Sequence, residues 1–460
     1  MQKVLFIIND GVSLRNFVYS DFFFKKRDFN VEVWYDLPFE LKLDGVKTEK
    51  IKLSTNSLTD LLKVSYINSK LKQLSREQND TIFLDYIFTT KTVGFKNRLK
   101  SFFRKLVVFT FKSNSESILK LIEFNERYFG FNTELFHKLK NVNPALIFFT
   151  SQRSSNFFQI HTIAKKINTK TATFIFSWDN PPKATLLYKT DFFFVWSDFM
   201  KKELTSYYKF THDSKILVTG TPQFEFHFKQ YDEHFMMKSI GLDSNSQYVC
   251  FTGDDFTSSP QDHLYLKDFA SQIHQYNLDN STNFKIIFRP CPVDFSSRYD
   301  DVLKEYDKLI IKIQPKWQKI GSVWNSIIPE KEDNIVLKII LQNSIFVTNL
   351  GSSIVFDAAC NNTPCAFVNY NPDLSNIQKD VNRAYKYKHF ESMTNKNSVF
   401  WINEPKDWKM ILEVLSKNTS PLNNIVQSAQ KWFEVINQQP ADQASERIVK
   451  AIDQIISKYN

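Results

Sequence analysis

The stretch from Phe346 to Tyr370 contains residue types at a spacing that suits anion binding. An apolar run at Ile345 to Val347 is followed by Gly351, Ser352 and Ser353, and these residues precede a helical stretch. This order predicts a strand, a short turn and a helix. Because a helix start exposes unpaired N–H groups and the positive end of the helix dipole, the two serines are candidate ligands for a phosphate.

Asp357 lies one turn inside that helix, and Pro364 follows its end. A carboxylate at this distance from a phosphate is a candidate partner for the hydroxyls of a ribose. The alternative is that Ser352 only caps the helix and that Asp357 belongs to a solvated polar face. The motif alone leaves both interpretations open.

Polar residues or glycines also come directly after other predicted strands. Because parallel sheets bind ligands beyond the carboxyl ends of their strands, these residues are candidates for the site. Asp10 and Asp179 are candidate catalytic bases, although Asp10 fits an Asx-turn and Asp179 a turn before Pro181 equally well. The four residues are Asp10 after Lys3 to Ile8, Asp179 after Thr173 to Ser177, Gly253 after Tyr248 to Thr252, and Arg289 after Lys285 to Phe288.

The elements that must position these residues read as two series of strands alternating with helices. The strands are continuous apolar runs rather than alternating ones, which indicates parallel sheets covered on both faces. A helix is predicted at Asn16 to Lys26. Further strands are predicted at Val31 to Tyr35, Ala145 to Phe149, Phe192 to Trp196, Ile216 to Thr219 and Leu309 to Ile313.

A length of 460 residues is too great for one ordinary core, so two domains are expected. We predict an N-terminal domain at 1–225, a linker at 226–246 and a C-terminal domain at 247–435. A final helical segment at 436–460 is expected to pack back across the junction. Two such domains facing one another would form a cleft.

Composition narrows the class of protein. Hydrophobic residues make up 42% of the chain and charged residues 23%, as in folded soluble proteins. The opening segment is too short for a signal peptide, and no apolar run approaches the roughly 18 residues of a membrane helix. The four cysteines are spread out without a CxxC pair, which favours a reducing compartment and predicts a cytoplasmic location.

The net charge of +10 permits nucleic acid, anionic lipid or an anionic substrate as partner. Its densest basic stretch runs from Lys96 to Lys112, where Lys and Arg alternate with Phe and Val. This stretch could rest on an anionic membrane. It could also be an amphipathic element that packs its Phe face on the core. No nucleic-acid recognition pattern accompanies it, so nucleic acid is not expected as a partner.

Taken together, these motifs resemble bacterial GT-B glycosyltransferases of surface-polysaccharide assembly. The Gly351 to Asp357 unit is similar to the Ser-Ser motif of those enzymes and of the CDP-glycerol glycerophosphotransferases. Arg289 begins a segment similar to their R/K-x-H-P motif. Other segments are also similar to sequences of this group. They are Asn9 to Ser13 with Arg15 and Asn16, Ser177 to Asn180, Trp317, Trp324, Asn325 and Pro329, Tyr387 to Phe390, and Ala441 to Ile448.

One position departs from that pattern. Cys291 stands where the family commonly has His, and a neutral thiol cannot put positive charge on a phosphate. Arg289 or a more distant histidine would then have to do so, with His389 as a candidate. His389 could equally be an exposed loop residue.

The resemblance implies an α/β fold of the GT-B class, with two facing Rossmann-like domains and parallel sheets. It implies transfer of a sugar from a nucleotide-sugar donor to a lipid-linked or polysaccharide acceptor. The net charge, the basic stretch and the lack of an export or spanning segment predict that this takes place at the inner face of a membrane. Donor contacts would come from Gly253, Arg289, Gly351, Ser352, Ser353, Asp357 and His389, with no cofactor and no metal. The alternatives are a CDP-polyol phosphotransferase of the teichoic-acid type and a UDP-sugar 2-epimerase-like enzyme.

Overall fold

Two parallel β-sheets organise the chain, one in each of two units. The computed structural model describes residues 1–87, 94–211, 216–321, 327–417 and 420–458. The first unit comprises Met1–Pro222 together with Ile436–Asn460, and the second comprises Gln223–Val435. The segment 226–246, expected from the sequence to be a linker, belongs to the second unit and includes a helix at Glu233–Ser239.

The sheet of the first unit has seven strands in the order β3-β2-β1-β4-β5-β6-β7. All of its strand pairs are parallel. This order changes direction between β1 and β4, which is the switch point of a Rossmann-like sheet. The strands are β1 (Lys3–Ile8), β2 (Asn30–Tyr35), β3 (Lys47–Lys50), β4 (Leu146–Phe149), β5 (Lys170–Phe174), β6 (Phe192–Val195) and β7 (Ile216–Val218).

The sheet of the second unit has six parallel strands in the order β10-β9-β8-β13-β14-β15, with its switch point between β8 and β13. Strands β11 and β12 follow β10 in the sequence and form a separate antiparallel pair. The strands are β8 (Tyr248–Thr252), β9 (Lys285–Arg289), β10 (Ile310–Lys312), β11 (Trp317–Lys319), β12 (Ile327–Pro329), β13 (Ser344–Asn349), β14 (Cys365–Val368) and β15 (Phe400–Ile402).

Helices connect the strands of both sheets. The first unit contains α1 (Gly11–Ser13), α2 (Ser57–Glu77), α3 (Phe95–Thr110), α4 (Glu116–Tyr128), α5 (Thr133–Val142), α6 (Phe158–Lys166) and α7 (Asp198–Tyr207). The second unit contains α8 (Glu233–Ser239), α9 (Asp262–Asn280), α10 (Asp300–Glu305), α11 (Glu332–Gln342), α12 (Ile354–Cys360), α13 (Val381–Ala384) and α14 (Asp407–Lys417). The helix α15 (Ser420–Ile436) ends at the return to the first unit, which α16 (Ala444–Lys458) completes.

Side chains on the two faces of the sheet form the core of the first unit. In β1, Leu5 and Ile7 point into one apolar cluster, while Phe6 on the opposite face packs against Phe148 with ring centroids 4.8 Å apart. Such a cluster of aromatic rings buries a large apolar area on a single face of the sheet.

The segment 16–26 differs from the predicted single helix. A π-helical turn at Leu14–Val18 is followed by a 3-10 turn at Phe22–Phe24. Phe17 and Phe22 both pack against Phe6, at centroid distances of 6.2 and 5.1 Å. Packing around that ring therefore overrides the local helical preference of the segment.

Across the residues that the structure describes, no helix is long and apolar enough to span a lipid bilayer. Trp324 and Asn325, two of the residues on which the sequence resemblance relies, lie outside the described residues.

Candidate functional site

The loops after β1 and β4 meet at the switch point of the first sheet. Asn9 Nδ2 donates a hydrogen bond to Ser154 Oγ at 2.5 Å, and Thr150 Oγ1 donates to Ser13 Oγ at 2.8 Å. Each bond joins residues more than a hundred positions apart in the chain. The loops after β1 and β4 therefore form a polar edge around Asp10, at the place where open α/β sheets bind their ligands.

Asp10 lies in this edge and is only 4% exposed. Its carboxylate accepts a hydrogen bond from the Ser13 N–H at 2.7 Å and so caps α1. Burial raises the pKa of Asp10, whereas the bond from Ser13 and the charge of Arg153 act to lower it. A carboxylate whose pKa is moved toward neutrality is suited to accept a proton, and the cap also satisfies the Asx-turn interpretation.

Asp179, the second candidate base, has a different environment. It accepts hydrogen bonds from Ser177 Oγ at 2.6 Å and Asn180 Nδ2 at 2.8 Å, and it forms an ion pair with Lys183. A neighbouring cation stabilises the ionised form of a carboxylate and weakens it as a base. The surroundings of Asp10 are therefore better suited to proton transfer.

Lys63 is a cation at the edge of the first unit that sequence reasoning missed. Lys63 Nζ, from α2, donates to Ser155 Oγ at 3.4 Å, and Ser155 Oγ donates to Asp60 at 3.2 Å. Burial lowers the pKa of Lys63, and the charge of Arg153 lowers it further, while Asp60 opposes both effects. The spacing of Asp60 and Lys63 on one helix face was the available signal.

The second sheet repeats this arrangement at its own switch point. Gly253 and Asp254 follow β8, and Leu350 and Gly351 follow β13. Asp254 accepts a hydrogen bond from the Leu350 N–H at 3.1 Å, and the Gly253 N–H donates to the carbonyl of Arg289 at 2.8 Å. The predicted donor-site loops are thus bonded to one another at the carboxyl edge.

Gly351 is required by the geometry of its turn. Its φ is +70°, which disfavours side chains, and a Cβ would lie 3.0 Å from ring atoms of both Tyr385 and Phe390. The turn is closed by the Ser352 N–H, which donates to Asn349 Oδ1 at 2.8 Å.

Ser353 stands at the start of α12, where it is exposed and its side chain makes no capping hydrogen bond to the helix. Ser352 beside it is partly exposed. The turn therefore leaves the Ser353 hydroxyl uncommitted to the helix, which is compatible with the role in phosphate binding expected from the sequence.

Arg289 has a partner within its own unit. Its side chain is 5% exposed and forms an ion pair with Asp333 of 2.7 Å. Asp333 also accepts from the Lys316 N–H and from Trp317 Nε1, each at 2.7 Å. Although burial acts to raise it, the charge of Arg289 and these bonds hold the pKa of Asp333 below its usual value. The charge of Arg289 is therefore already compensated inside the fold.

Two carboxyl groups share the edge after β8. The Asp254 N–H donates to Asp262 Oδ2 at 3.1 Å, and the same oxygen accepts from the Tyr299 hydroxyl at 2.7 Å. Burial raises the pKa of Asp254 well above its usual value, and the negative charge of Asp262 adds to this effect. Burial also raises the pKa of Asp262 to about 6, against the bond from Tyr299 and the charge of Arg298. This edge holds a proton at pH values where an exposed carboxylate has lost it.

Arg298 is also occupied by groups of its own unit. It forms an ion pair with Asp294 at 2.5 Å and donates to the backbone carbonyl of Asp254 at 2.5 Å. Its partners therefore include both an acidic side chain and the backbone of the loop after β8.

Asp357 is buried against a histidine rather than exposed to the surface. Its Oδ1 lies 2.8 Å from His227 Nε2, while His227 Nδ1 lies 2.8 Å from Asn361 Nδ2. Asn361 Nδ2 also donates to the carbonyl of Asp357 at 2.7 Å, which fixes the orientation of the amide. His227 Nδ1 therefore accepts the hydrogen bond from Asn361. The ring proton then lies on Nε2, which donates a hydrogen bond to Asp357 Oδ1. This network fastens α12 to the 3-10 helix at Pro222–Phe228.

His389 lies in a 3-10 helix at Lys388–Ser392 and is 8% exposed. Its ring stacks on Tyr387 with centroids 6.0 Å apart and lies 4.5 Å from the ring of Phe390. Phe390 also lies against Gly351, so it contacts both His389 and this turn. The exposed-loop alternative for His389 does not fit this burial.

Thiols and acids do not assemble into a metal site in the part of the chain that the structure describes, which contains no group of three or more His, Cys, Asp or Glu able to hold an ion. All four cysteines are free. Burial raises the pKa of Cys291 to about 12, so it is a neutral thiol at the end of β9.

Comparison with solved structures identifies the architecture. The chain resembles a candidate UDP-N-acetylglucosamine 2-epimerase from Listeria monocytogenes, with 11% identity, a TM-score of 0.56, and coverage of 99% of this chain and 97% of that one. It resembles S. aureus MnaA, whose structure contains UDP, with 10% identity, a TM-score of 0.53 and coverage of 99% and 97%. It also resembles the wall teichoic acid polymerase TagF, with 11% identity, a TM-score of 0.50 and coverage of 99% and 89%.

No protein-family model matches the chain, and no curated protein matches it in sequence. The structural likeness spans nearly all of the chain and both of its sheets. The protein therefore has an α/β fold of the GT-B class with two Rossmann-like domains of parallel strands, which confirms the fold predicted from the sequence.

Proposed function

We propose that the protein is a glycosyltransferase that moves a sugar from a nucleotide-sugar donor to a cell-surface glycan. The acceptor is a lipid-linked or polysaccharide chain, which the enzyme meets at the inner face of the cytoplasmic membrane. Four free cysteines suit the reducing compartment that this location requires. The GT-B fold supports a nucleotide-dependent enzyme, and the groups at the two sheet edges support the chemistry.

The observation that carries the proposal is the environment of Asp10. Transfer with inversion requires a base that removes the proton of an acceptor hydroxyl while the bond between the sugar and the phosphate breaks. Asp10 is buried at a strand end, and burial raises its pKa. This combination gives a carboxylate that can gain a proton during the reaction.

The donor nucleotide is proposed to bind the second unit, at the loops after β8 and β13. The leaving phosphate gains negative charge, and preorganised hydrogen-bond donors are an effective way to stabilise it. Ser352 and Ser353 are the donors we propose, because the turn at Gly351 presents them and Ser353 makes no capping bond. Asp254 is a further candidate, because a carboxyl group with a raised pKa can donate its proton to a phosphate oxygen.

The proposal assigns stabilisation of the leaving group to protein groups rather than to a metal. Transfer should therefore continue in the presence of EDTA at the rate measured without it. A rate that falls with EDTA and returns on addition of Mg²⁺ or Mn²⁺ would contradict this part of the proposal.

The nucleotide can be identified by thermal unfolding with UDP-, GDP-, CDP- and CMP-linked compounds. A ligand that binds only the native state raises the melting temperature by mass action, corresponding to about 2.7 kcal/mol at a hundred times its Kd. Cys291, in place of the histidine expected from the resemblance, is the reason for testing all four nucleotides. Absence of stabilisation by all four would contradict the proposed binding of a UDP-, GDP-, CDP- or CMP-linked donor.

Two other reactions have specific support. The likeness to UDP-N-acetylglucosamine 2-epimerases favours an epimerase, which would convert its nucleotide sugar without any acceptor. The likeness to TagF favours a polyol-phosphate polymerase, which would consume a CDP-alcohol. Incubation with each nucleotide sugar alone, and with CDP-glycerol plus acceptor, distinguishes both from glycosyl transfer.

A further inference from the structure

The helix α3 turns its apolar stripe toward solvent. Phe95, Leu99, Phe102, Leu106 and Phe109 recur at intervals of four and three residues, which aligns them on one helix face. Phe95 is 81% exposed, Phe102 61% and Phe109 69%. The alternative considered from the sequence, in which the Phe face packs on the core, is therefore not what the structure contains.

The next helix, α4, also exposes apolar side chains. Leu121, Phe124 and Tyr128 share an exposed face, and the rings of Phe124 and Tyr128 contact each other at 4.6 Å. Phe129, which follows the helix, is 78% exposed. Single exposed apolar residues are ordinary on soluble proteins, but two successive helices that expose them in rows indicate an interaction surface.

The exposed charged residues of α3 and α4 that lie near these apolar side chains are basic. The described sequence of α3 contains no Asp or Glu, and Arg98, Lys100 and Lys105 on it are exposed. On α4, Lys120 and Arg127 are exposed beside the aromatic row. Each of the two helices therefore exposes both apolar and basic side chains.

The acidic side chains of α4 are either paired with lysines of the first unit or buried within it. Glu116 forms an ion pair with Lys189 at 3.4 Å, Glu123 forms one with Lys165 at 2.6 Å, and Glu126 is buried. No carboxylate among them is left to neutralise the exposed cations of α3 and α4.

We propose that α3 and α4 form a docking surface for an anionic lipid bilayer, with α3 lying in the plane of the interface. An amphipathic helix with large apolar side chains and flanking Lys and Arg can bury the former among acyl chains while the latter contact anionic headgroups. A second copy of this chain is disfavoured as the occupant, because pairing this face with itself would bring like charges together. This inference rests on the exposed surface and on the location given under the proposed function, and it does not depend on the reaction.

The test is co-sedimentation of the full chain with vesicles of phosphatidylcholine mixed with phosphatidylglycerol, without any nucleotide or acceptor. Replacing Phe102, Leu106 and Phe109 by Ser should lower the partition coefficient about 10²–10³-fold, because each buried apolar side chain contributes on the order of tenfold. Replacing Arg98, Lys100 and Lys105 by Gln should lower it about a hundredfold, at roughly fivefold per cation. Binding of the wild type should fall as salt increases, because charges are screened beyond about 10 Å at 0.1 M.

A matched control removes the same number of exposed apolar residues from the second unit, by replacing Phe235, Leu278 and Leu374 with Ser. This variant should bind vesicles as the wild type does, and all three variants should keep the wild-type melting temperature because the replaced side chains are exposed. Equal loss in the control and the α3 variants would overturn the proposal, as would equal binding to vesicles of phosphatidylcholine alone. Wild-type protein that stays in the supernatant at low salt would also overturn it, yet would leave transfer to a soluble acceptor unaffected.

Discussion

The two sheet edges that carry the candidate site differ in how their charges are balanced. At the edge of the first unit, cations and carboxylates alternate: Lys63 is near Asp60, and Arg153 is attracted to both Asp10 and Asp179. Each charge there has an opposite charge nearby. Chemistry at this edge can move a proton onto Asp10 without leaving a large uncompensated charge.

At the edge of the second unit, carboxyl groups outnumber the cations that are available to them. Asp254 follows β8 and donates its N–H to Asp262, which begins α9. Arg289 is occupied by Asp333, and Arg298 by Asp294. The fold relieves the repulsion by raising pKa values rather than by supplying cations. An anion bound at this edge would meet hydroxyls, backbone N–H groups and a protonated carboxyl group, so its binding is expected to depend on pH.

The largest effect is expected when Arg289 is replaced by Ala, which tests whether its charge is compensated inside the second unit. Loss of one partner from a buried ion pair leaves the other charge uncompensated, so we expect a loss of about 3–5 kcal/mol in the free energy of unfolding, measured in urea. A double variant with Arg289→Met and Asp333→Asn removes both charges and keeps an acceptor for the Lys316 N–H, so it should recover part of that loss. Nearly unchanged stability together with a large loss of nucleotide affinity would instead assign Arg289 to the phosphate.

Replacing Asp10 by Asn tests the balanced edge. Turnover should fall by about 10² or more, equivalent to about 2.7 kcal/mol, while donor affinity measured by calorimetry stays nearly unchanged. Because burial raises the pKa of Asp10, the wild-type rate should rise with pH through that raised pKa, and the variant should lack this limb. Asp179→Asn is the matched control. If Asp179→Asn lowers turnover more than Asp10→Asn, the roles are reversed.

Stability as a function of pH tests the acid-rich edge. Below the unfolded-state pKa of about 3.8 both states of Asp254 are protonated, and as the pH rises the folded state keeps a proton that the unfolded chain has released. The stabilising contribution is therefore lost as the pH increases through the raised pKa, with a slope of at most about 1.4 kcal/mol per pH unit for one group. Asp254→Asn should flatten this decline and be relatively more stable than the wild type on its alkaline side. An unchanged pH profile would show that Asp254 titrates as an ordinary exposed carboxylate.

The smallest expected effect is that of Ser353→Ala. The hydroxyl is exposed and makes no capping bond, so the melting temperature should stay that of the wild type. If the hydroxyl donates to a phosphate, nucleotide affinity should fall by roughly threefold to tenfold, as expected for a hydrogen bond of about 0.5–1.5 kcal/mol. Ser375→Ala is a suitable control in the same unit, because it removes another exposed hydroxyl outside the loops after β8 and β13. Equal affinities of the two variants would remove Ser353 from the donor site.

Sequence reasoning predicted the sheets better than the side-chain partners. Strands such as Tyr248–Thr252 were predictable because a continuous apolar run has few other places in a soluble fold. The strand-end residues were predictable because parallel strands bring their carboxyl ends to one edge. Both predictions depend on local pattern and general topology.

The partners were not predictable, because they come from distant parts of the chain. Arg289 and Asp333 are 44 residues apart, and His227 and Asp357 are 130 apart. Nothing in the spacing of either pair distinguishes it from other acids and bases in the sequence. The roles of Arg289 and Asp357 as donor ligands therefore remain predictions, and their buried partners are what a test must consider.

The return of Ile436–Asn460 to the first unit affects how the protein is made. Arg447 donates to the carbonyls of Thr219 and Gln438, and the Gln438 N–H donates to the carbonyl of Trp196. At a ribosomal rate of about 5–20 residues per second, the whole second unit must be translated first, which takes on the order of ten seconds or more. During that interval β6 and β7 lack these closing bonds, so the second unit can finish folding while the first, begun earlier, is still incomplete.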